Sequence, residues 1–194
     1  MIAGLTGGIG SGKSIVARLF ELMACPVFYS DDVARELYFD KEIKPQVLAL
    51  LGAEAYISES EINKTFISNK IFGSKQHLDG LNAIIHPAVR KKFEDFAARY
   101  PGQLVVKESA LLFEAALTSG CDKIIVVAAD EELRIRRVMA RDHLSREQIL
   151  QKMEAQLPQE HKIKNADYVI INNDSQLLIP QVVAIVKKIS SSAR

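Results

Sequence analysis

The sequence has 194 residues, 48% of them hydrophobic, which is enough to bury the core of one domain or of one domain with an insertion. Its 25 basic and 24 acidic residues nearly cancel and it has no tryptophan, which argues against a nucleic-acid partner. The two cysteines, Cys25 and Cys121, lie outside any C-x-x-C pattern and indicate neither a disulfide framework nor a zinc site. The longest apolar run, 124–129, is too short to cross a bilayer, so we expect a cytoplasmic protein without membrane partners, monomeric or weakly homo-oligomeric.

Short apolar runs alternate with helical patterns along the chain. We predict strands at 2–6, 26–29, 104–107, 123–128 and 168–171. Helical patterns cover 13–23, 31–39, 131–141, 146–156 and 177–189. Because strands that alternate with helices form right-handed crossovers, we expect a three-layer α/β fold with a five-stranded parallel sheet.

Residues 7–14 read GGIGSGKS, a complete G-x-x-x-x-G-K-[ST] loop between the first predicted strand and the first predicted helix. In such a loop, backbone N–H groups and the helix N-terminus bind phosphate. Lys13 is placed to reach the β- and γ-phosphates and the Ser14 hydroxyl to ligate Mg²⁺. The sequence therefore predicts a nucleoside triphosphate site formed by Gly8, Ile9, Gly10, Ser11, Gly12, Lys13, Ser14 and Ile15.

The region 41–100 interrupts the alternation. It contains helical patterns at 44–51, 62–71 and 78–100 and no convincing strand, and Pro87 is expected to kink or divide the last helix. An insertion of this length is seldom only a connection, so we expect a helical substrate-binding domain beside the core formed by 1–40 and 101–194. An insertion without a function is the alternative.

Three carboxylates follow predicted strands or lie near them. Asp31, with Ser30 as the predicted N-cap, either accepts the proton of an acceptor hydroxyl or complements the helix dipole. Glu108 occupies a Walker-B-like position, and because Glu is longer than Asp we expect it to reach Mg²⁺ through water. Glu114 is a further candidate, or an exposed helix position.

Five arginines follow the fourth predicted strand: Arg134, Arg136, Arg137, Arg141 and Arg146. The spacing of 134, 137 and 141 places them on one helix face. Such a face suits a lid, at about 131–160, that closes over phosphates, or it is a solvated amphipathic surface. His86 either contacts phosphate or substrate, or packs at a helix end, since no second ligand lies at metal-binding spacing.

Taken together, these motifs resemble those of the dephospho-CoA kinase family. The matching segments run in family order: GLTGGIGSGKS at 4–14, SDDVAR at 30–35, IHPAVR at 85–90, LLFE at 111–114, Arg137 and Arg141, Gln156, ADYVI at 166–170, and Asn172. The phosphate loop is common to many NTPases, whereas its combination with I-H-P and L-L-F-E is specific.

The resemblance implies a P-loop kinase with a lid, which uses ATP and Mg²⁺ to phosphorylate the 3′-hydroxyl of the dephospho-CoA ribose. That reaction is the last step of coenzyme A synthesis. The resemblance makes Asp31 the catalytic base, with Lys13 and Arg141 as further catalytic groups, and adds Arg137, Arg141 and Asn172 to the ATP site. The implied substrate residues are Asp31, Arg35, Lys64, His86, Arg90, Leu111 and Glu114.

The chain departs from the family pattern at five positions. Tyr29 stands where the family often has Asp, Glu108 where it has Asp, Ala110 where it has Pro, Lys64 where it has Arg, and Arg134 where it has Gln. A lysine does not reproduce a bidentate arginine contact.

Two other classes share the phosphate loop. A GTPase-type switch normally carries D-x-x-G and N-K-x-D, and the chain has neither, since Asn172-Asn173-Asp174 lacks the lysine. A kinase for another nucleoside or nucleotide is the second alternative, against which the I-H-P and L-L-F-E elements argue.

Overall fold

The computed structural model describes residues 1–114 and 117–192. In chain order the strands are Ile2–Thr6 (β1), Val27–Tyr29 (β2), Tyr56–Ser58 (β3), Glu61–Ile62 (β4), Val105–Glu108 (β5), Lys123–Ala128 (β6) and Tyr168–Ile171 (β7). The helices are Lys13–Leu22 (α1), Ser30–Leu37 (α2), Lys44–Leu51 (α3), Lys64–Phe72 (α4), Lys75–Ala97 (α5), Glu131–Asp142 (α6), Arg146–Glu154 (α7), Gln159–Lys164 (α8) and Leu178–Ser192 (α9). None of these helices is long and apolar enough to cross a membrane.

The chain forms two compact units, one of residues Met1–Tyr29 with Tyr100–Arg194 and one of Ser30–Arg99. The second unit begins at Ser30, whereas the sequence placed the start of the insertion at residue 41. The difference arises because α2 packs against α5 and so belongs with the helices that follow it.

The first unit is built on a parallel sheet in which the described strands have the order β2-β5-β1-β6-β7. This confirms the predicted five-stranded α/β fold. The strands are near-continuous apolar runs because helices cover both faces of such a sheet. The core between the sheet and helices α1 and α9 contains fully buried Leu5, Val16, Phe20, Ile125 and Ile170. The phosphate loop leaves the central strand, β1, at its carboxyl end, where ligands bind in this class of fold.

The second unit is mainly helical, with α2, α3 and α4 each packed on α5. It also contains an antiparallel hairpin of β3 and β4, so the expectation of no strand in this region was wrong. Pro87 lies inside α5 and does not divide it. The helix continues through the proline because Leu81, Ile85, Val89 and Phe93, spaced four residues apart, are all buried on one face.

Candidate active site

The phosphate loop has the predicted position, between β1 and the first turn of α1. The Ser11 N–H donates to the Gly8 carbonyl at 3.0 Å and closes a turn inside the loop. Gly10 and Gly12 have φ values of 79° and 85°, a conformation that costs other L-residues about 1–2 kcal/mol. Because α1 begins at Lys13, the positive end of its helix dipole lies at the loop and favours an anion there.

Lys13 forms an ion pair with Glu108, the last residue of β5. Both side chains are nearly buried, with 13% and 7% of their surface exposed, so each stabilises the other's charge. Ser14 is exposed on the first turn of the helix. The Ser14 hydroxyl and the Glu108 carboxylate are the hard oxygen donors that Mg²⁺ prefers, and this ion needs few protein ligands when phosphates and water complete its shell. The donor set therefore fits Mg²⁺, although no cluster of three acidic, His or Cys side chains exists within residues 1–114 and 117–192.

Side chains from distant segments hold the backbone of the loop. The Asn172 amide, 7% exposed, donates to the Ser11 carbonyl at 2.8 Å and lies where a Cβ on Gly12 would be. Arg134 Nε donates to the Ile9 carbonyl at 2.9 Å, and the Ile9 N–H donates to Gln156 Oε1, also at 2.9 Å. The sequence assigned Asn172 to ATP, Arg134 to a lid face and no role to Gln156. In the structure all three act on the loop itself.

The arginines of α6 have different environments. Arg134 is buried, so the three arginines do not form one solvated face. Arg137 donates to Asp174 at 3.3 Å, and its buried Nη1 has no hydrogen-bond partner among the described residues. Arg141 is exposed and donates to both oxygens of Asp142, at 2.7 and 2.8 Å. The lid at about 131–160 stays a prediction.

Glu114 and Leu111, both implied as substrate residues, lie in the segment after β5. Glu114 is not the exposed helix position that was its alternative, because Oε1 lies 2.7 Å from the ammonium of buried Lys162 and accepts from the Leu157 N–H at 3.0 Å. Lys162 belongs to α8, a helix that the sequence did not predict. Leu111 is 46% exposed.

The remaining predicted substrate residues belong to the second unit. Asp31 lies in the first turn of α2, which begins at Ser30. The predicted N-cap bond is not formed, since the buried Ser30 hydroxyl has no hydrogen-bond partner within the described ranges. Arg35 pairs with Asp32 at 3.1 Å, one turn away on the same helix.

Arg35 and Lys64 line one cavity of about 380 Å³. Its wall also includes Phe39 and Ile62, and Glu61 adds one carboxylate. The cavity therefore combines two cationic groups with apolar surface, which suits a ligand that has both anionic and apolar parts. The structure brings together two residues that the sequence assigned separately to the substrate.

His86 and Arg90 lie one turn apart on α5 and are not among the residues that line this cavity. Burial lowers the pKa of His86, and the neighbouring charge of Arg90 lowers it further. His86 is therefore favoured in its neutral form, in which it can accept a hydrogen bond.

Known proteins resemble this chain in sequence and in fold. The family model described as dephospho-CoA kinase matches residues 1–178. A dephospho-CoA kinase of Bacteroides fragilis is 37% identical over 185 residues, which are 94% of this chain and 90% of that protein. A Thermus thermophilus protein of known crystal structure is 31% identical in sequence and superimposes with a TM-score of 0.85, over 99% of this chain and 97% of that one. A dephospho-CoA kinase from Campylobacter jejuni, 22% identical with a TM-score of 0.71, shares the fold over 100% of this chain and 98% of its own. The chain belongs to the dephospho-CoA kinase family.

Proposed function

We propose that the protein transfers the γ-phosphate of ATP to the 3′-hydroxyl of the dephospho-CoA ribose, giving coenzyme A and ADP. The observation that carries the proposal is the family match over residues 1–178, which includes the phosphate loop and the whole second unit. Membership of this family of P-loop kinases implies the use of ATP. It also disfavours both the GTPase-type switch and a kinase for another nucleotide.

On the donor side, the loop from Gly8 to Ile15 would surround the phosphates, with the positive end of the α1 dipole directed at them. Lys13 would exchange its contact with Glu108 for the β- and γ-phosphates, which is favourable because phosphate offers more anionic oxygens. Bound Mg²⁺ would neutralise part of the triphosphate charge, with Ser14 as a direct ligand and Glu108 as a contact through water. Arg137 and Arg141 would supply further cations, Arg141 by leaving its exposed contact with Asp142.

On the acceptor side, Asp31 would accept the proton of the ribose hydroxyl as the new bond to phosphorus forms. Arg35 and Lys64 would bind the pyrophosphate of dephospho-CoA, while the apolar wall of their cavity would contact the pantetheine arm. His86, Arg90 and exposed Leu111 complete the proposed acceptor set. The cavity supports the proposal because its two kinds of surface match the two parts of this substrate.

The test of the proposed function is ADP release, coupled to an optical readout, with ATP, Mg²⁺ and a panel of acceptors. The panel contains dephospho-CoA, nucleosides, nucleoside monophosphates and shikimate. We expect turnover with dephospho-CoA that exceeds turnover with every other acceptor. Turnover with another acceptor but none with dephospho-CoA would refute the proposal.

The test of the base is Asp31→Asn, which keeps the size of the side chain but removes its basicity. We expect ATP affinity to be retained and kcat to fall by about 10²–10⁴-fold, the usual contribution of a general base. The matched control is Asp32→Asn at the next position, where the carboxylate is 59% exposed and paired with Arg35. A kcat of Asp31→Asn close to that of Asp32→Asn would mean that Asp31 is not the base.

A further inference from the structure

Ile9, the third residue of the phosphate loop, is held by its backbone and by its side chain. Its N–H donates to Gln156 and its carbonyl accepts from Arg134, each at 2.9 Å. Its side chain packs against an apolar cluster of α6 and α7 formed by Ile135, Val138 and Ile149. The position of Ile9 therefore depends on where the segment that carries Gln156 lies.

That segment is fixed at the next residue by Glu114. The Leu157 N–H donates to Glu114 Oε1 at 3.0 Å, and the same oxygen lies 2.7 Å from Lys162 Nζ. The Lys162 side chain is 1% exposed, and an unpaired ammonium at such a position is strongly unfavourable. Glu114 is therefore committed to Lys162 and Leu157, because a contact with a ligand would leave a buried charge without its partner.

The geometry of the second carboxylate oxygen agrees with this assignment. Glu114 Oε2 is buried and has no hydrogen-bond partner within residues 1–114 and 117–192. One oxygen is thus engaged by the protein, and the other is shielded from solvent.

We propose that Glu114 is a positioning residue of the ATP site and not an acceptor-binding residue. Its ion pair with Lys162 fixes the segment of Gln156 and Leu157, and the Gln156 side chain in turn holds Ile9 of the phosphate loop. The inference rests on the proposed function for the identity of the two substrates. Its nucleotide-binding part is measured without an acceptor.

The decisive comparison is between Glu114→Gln and the double variant Glu114→Gln/Lys162→Met. In the single variant the glutamine still accepts from Leu157, but Lys162 keeps an unpaired buried charge. We expect a lower Tm and a Kd for a nonhydrolysable ATP analogue with Mg²⁺ that is raised about tenfold. The double variant removes the charge as well, so we expect the Kd to return to within about threefold of the parent value.

Steady-state kinetics separate this role from direct contact with the acceptor. At saturating ATP, the KM for dephospho-CoA of the double variant should stay within about threefold of the parent value. A folded double variant with parental nucleotide affinity and a KM for dephospho-CoA raised about tenfold or more would overturn the proposal. If the parent protein turns over no dephospho-CoA, the proposed function fails, and the nucleotide titration still decides the role of Glu114.

A second variant keeps the proposal testable if the ion-pair variants do not fold. Gln156→Leu removes the acceptor of the Ile9 N–H and leaves Glu114 and Lys162 intact. We expect the Kd for the ATP analogue to rise about tenfold, with no change in the KM for dephospho-CoA at saturating ATP. An unchanged Kd would remove the only route by which Glu114 is proposed to act on the loop, and so would overturn the proposal.

Discussion

Substitution of Asn172 tests whether this residue holds the phosphate loop or contacts the nucleotide base. Asn172 is 7% exposed, and its side-chain amide donates to the Ser11 carbonyl at 2.8 Å. Asn172→Ala removes this donor. Loss of a partner for a buried polar group costs about 1–3 kcal/mol. We therefore expect Tm to fall by about 2–4 °C for each kcal/mol, as is usual for a protein of this size. If this free energy is lost from the loop conformation that binds nucleotide, the nucleotide Kd should rise by about 5- to 150-fold.

The assay is titration of the parent and the variants with ATP and with GTP in the presence of Mg²⁺. If Asn172 holds the loop, both affinities should fall by the same factor, because the loop binds the phosphates that the two nucleotides share. Asn172→Asp is the matched control and should bind worse than Asn172→Ala, since it turns an acceptor oxygen toward the Ser11 carbonyl. A loss of ATP affinity more than about tenfold larger than the loss of GTP affinity would refute the reasoning and indicate a contact with adenine.

Two further predictions concern the second unit. Tyr56→Phe removes the hydrogen bond from the phenol to the Tyr38 carbonyl at 2.7 Å, in a side chain whose pKa is raised to about 12 by burial and then by Tyr38. We expect its urea-unfolding curve to show a loss of about 1 kcal/mol, and an unchanged midpoint would contradict this. Burial and Arg90 lower the pKa of His86 below 6.5, so the unfolded chain binds this proton more tightly and the folded state loses stability as the pH falls through about 6.5. The Tm of His86→Gln minus the Tm of the parent should therefore increase as the pH is lowered from about 7.5 to about 5.5. A difference that stays constant over this range would exclude the contribution.

The strands of the parallel sheet were predictable because each one is a local apolar run. The predicted and observed bounds agree at Ile2–Thr6, Lys123–Ala128 and Tyr168–Ile171. A strand that is buried on both faces can be recognised from its own residues, because nearly all of them are hydrophobic. The phosphate loop was predictable for the same reason, because its residues and its flanking elements are consecutive.

The hairpin and α8 were not predictable from local pattern. Tyr56–Ser58 and Glu61–Ile62 have three and two residues, too few for an alternation of buried and exposed positions to be detected. Gln159–Lys164 is a polar helix of six residues in which the buried side chain is Lys162. A lysine in such a sequence indicates solvent exposure, and its burial depends on the carboxylate of Glu114, which lies in a distant segment of the chain.

The same limit applies to Arg134. Its spacing with Arg137 and Arg141 indicated a shared face, and local periodicity carries no information about an acceptor in a distant segment. Arg134 is buried, and its guanidinium donates to the Ile9 carbonyl, which lies 125 residues away in sequence. This hydrogen bond offsets part of the cost of burying the charged group. This chain has therefore coupled α6 to the phosphate loop through a charged group.

The phosphate motif alone therefore determines the backbone conformation of the loop only in part. Its glycines permit the left-handed conformations, but the polar groups of Ile9 and Ser11 are satisfied by Gln156, Arg134 and Asn172, at separations of 147, 125 and 161 residues. These partners come from α6, from the segment between α7 and α8, and from the end of β7, so folding of the second half of the chain stabilises the binding conformation of the first. By linkage, a ligand that binds this conformation must stabilise those segments in return. Nucleotide binding should consequently slow amide exchange at Leu157, the residue next to Gln156, and an unchanged exchange rate there would show that the loop is not coupled to this segment.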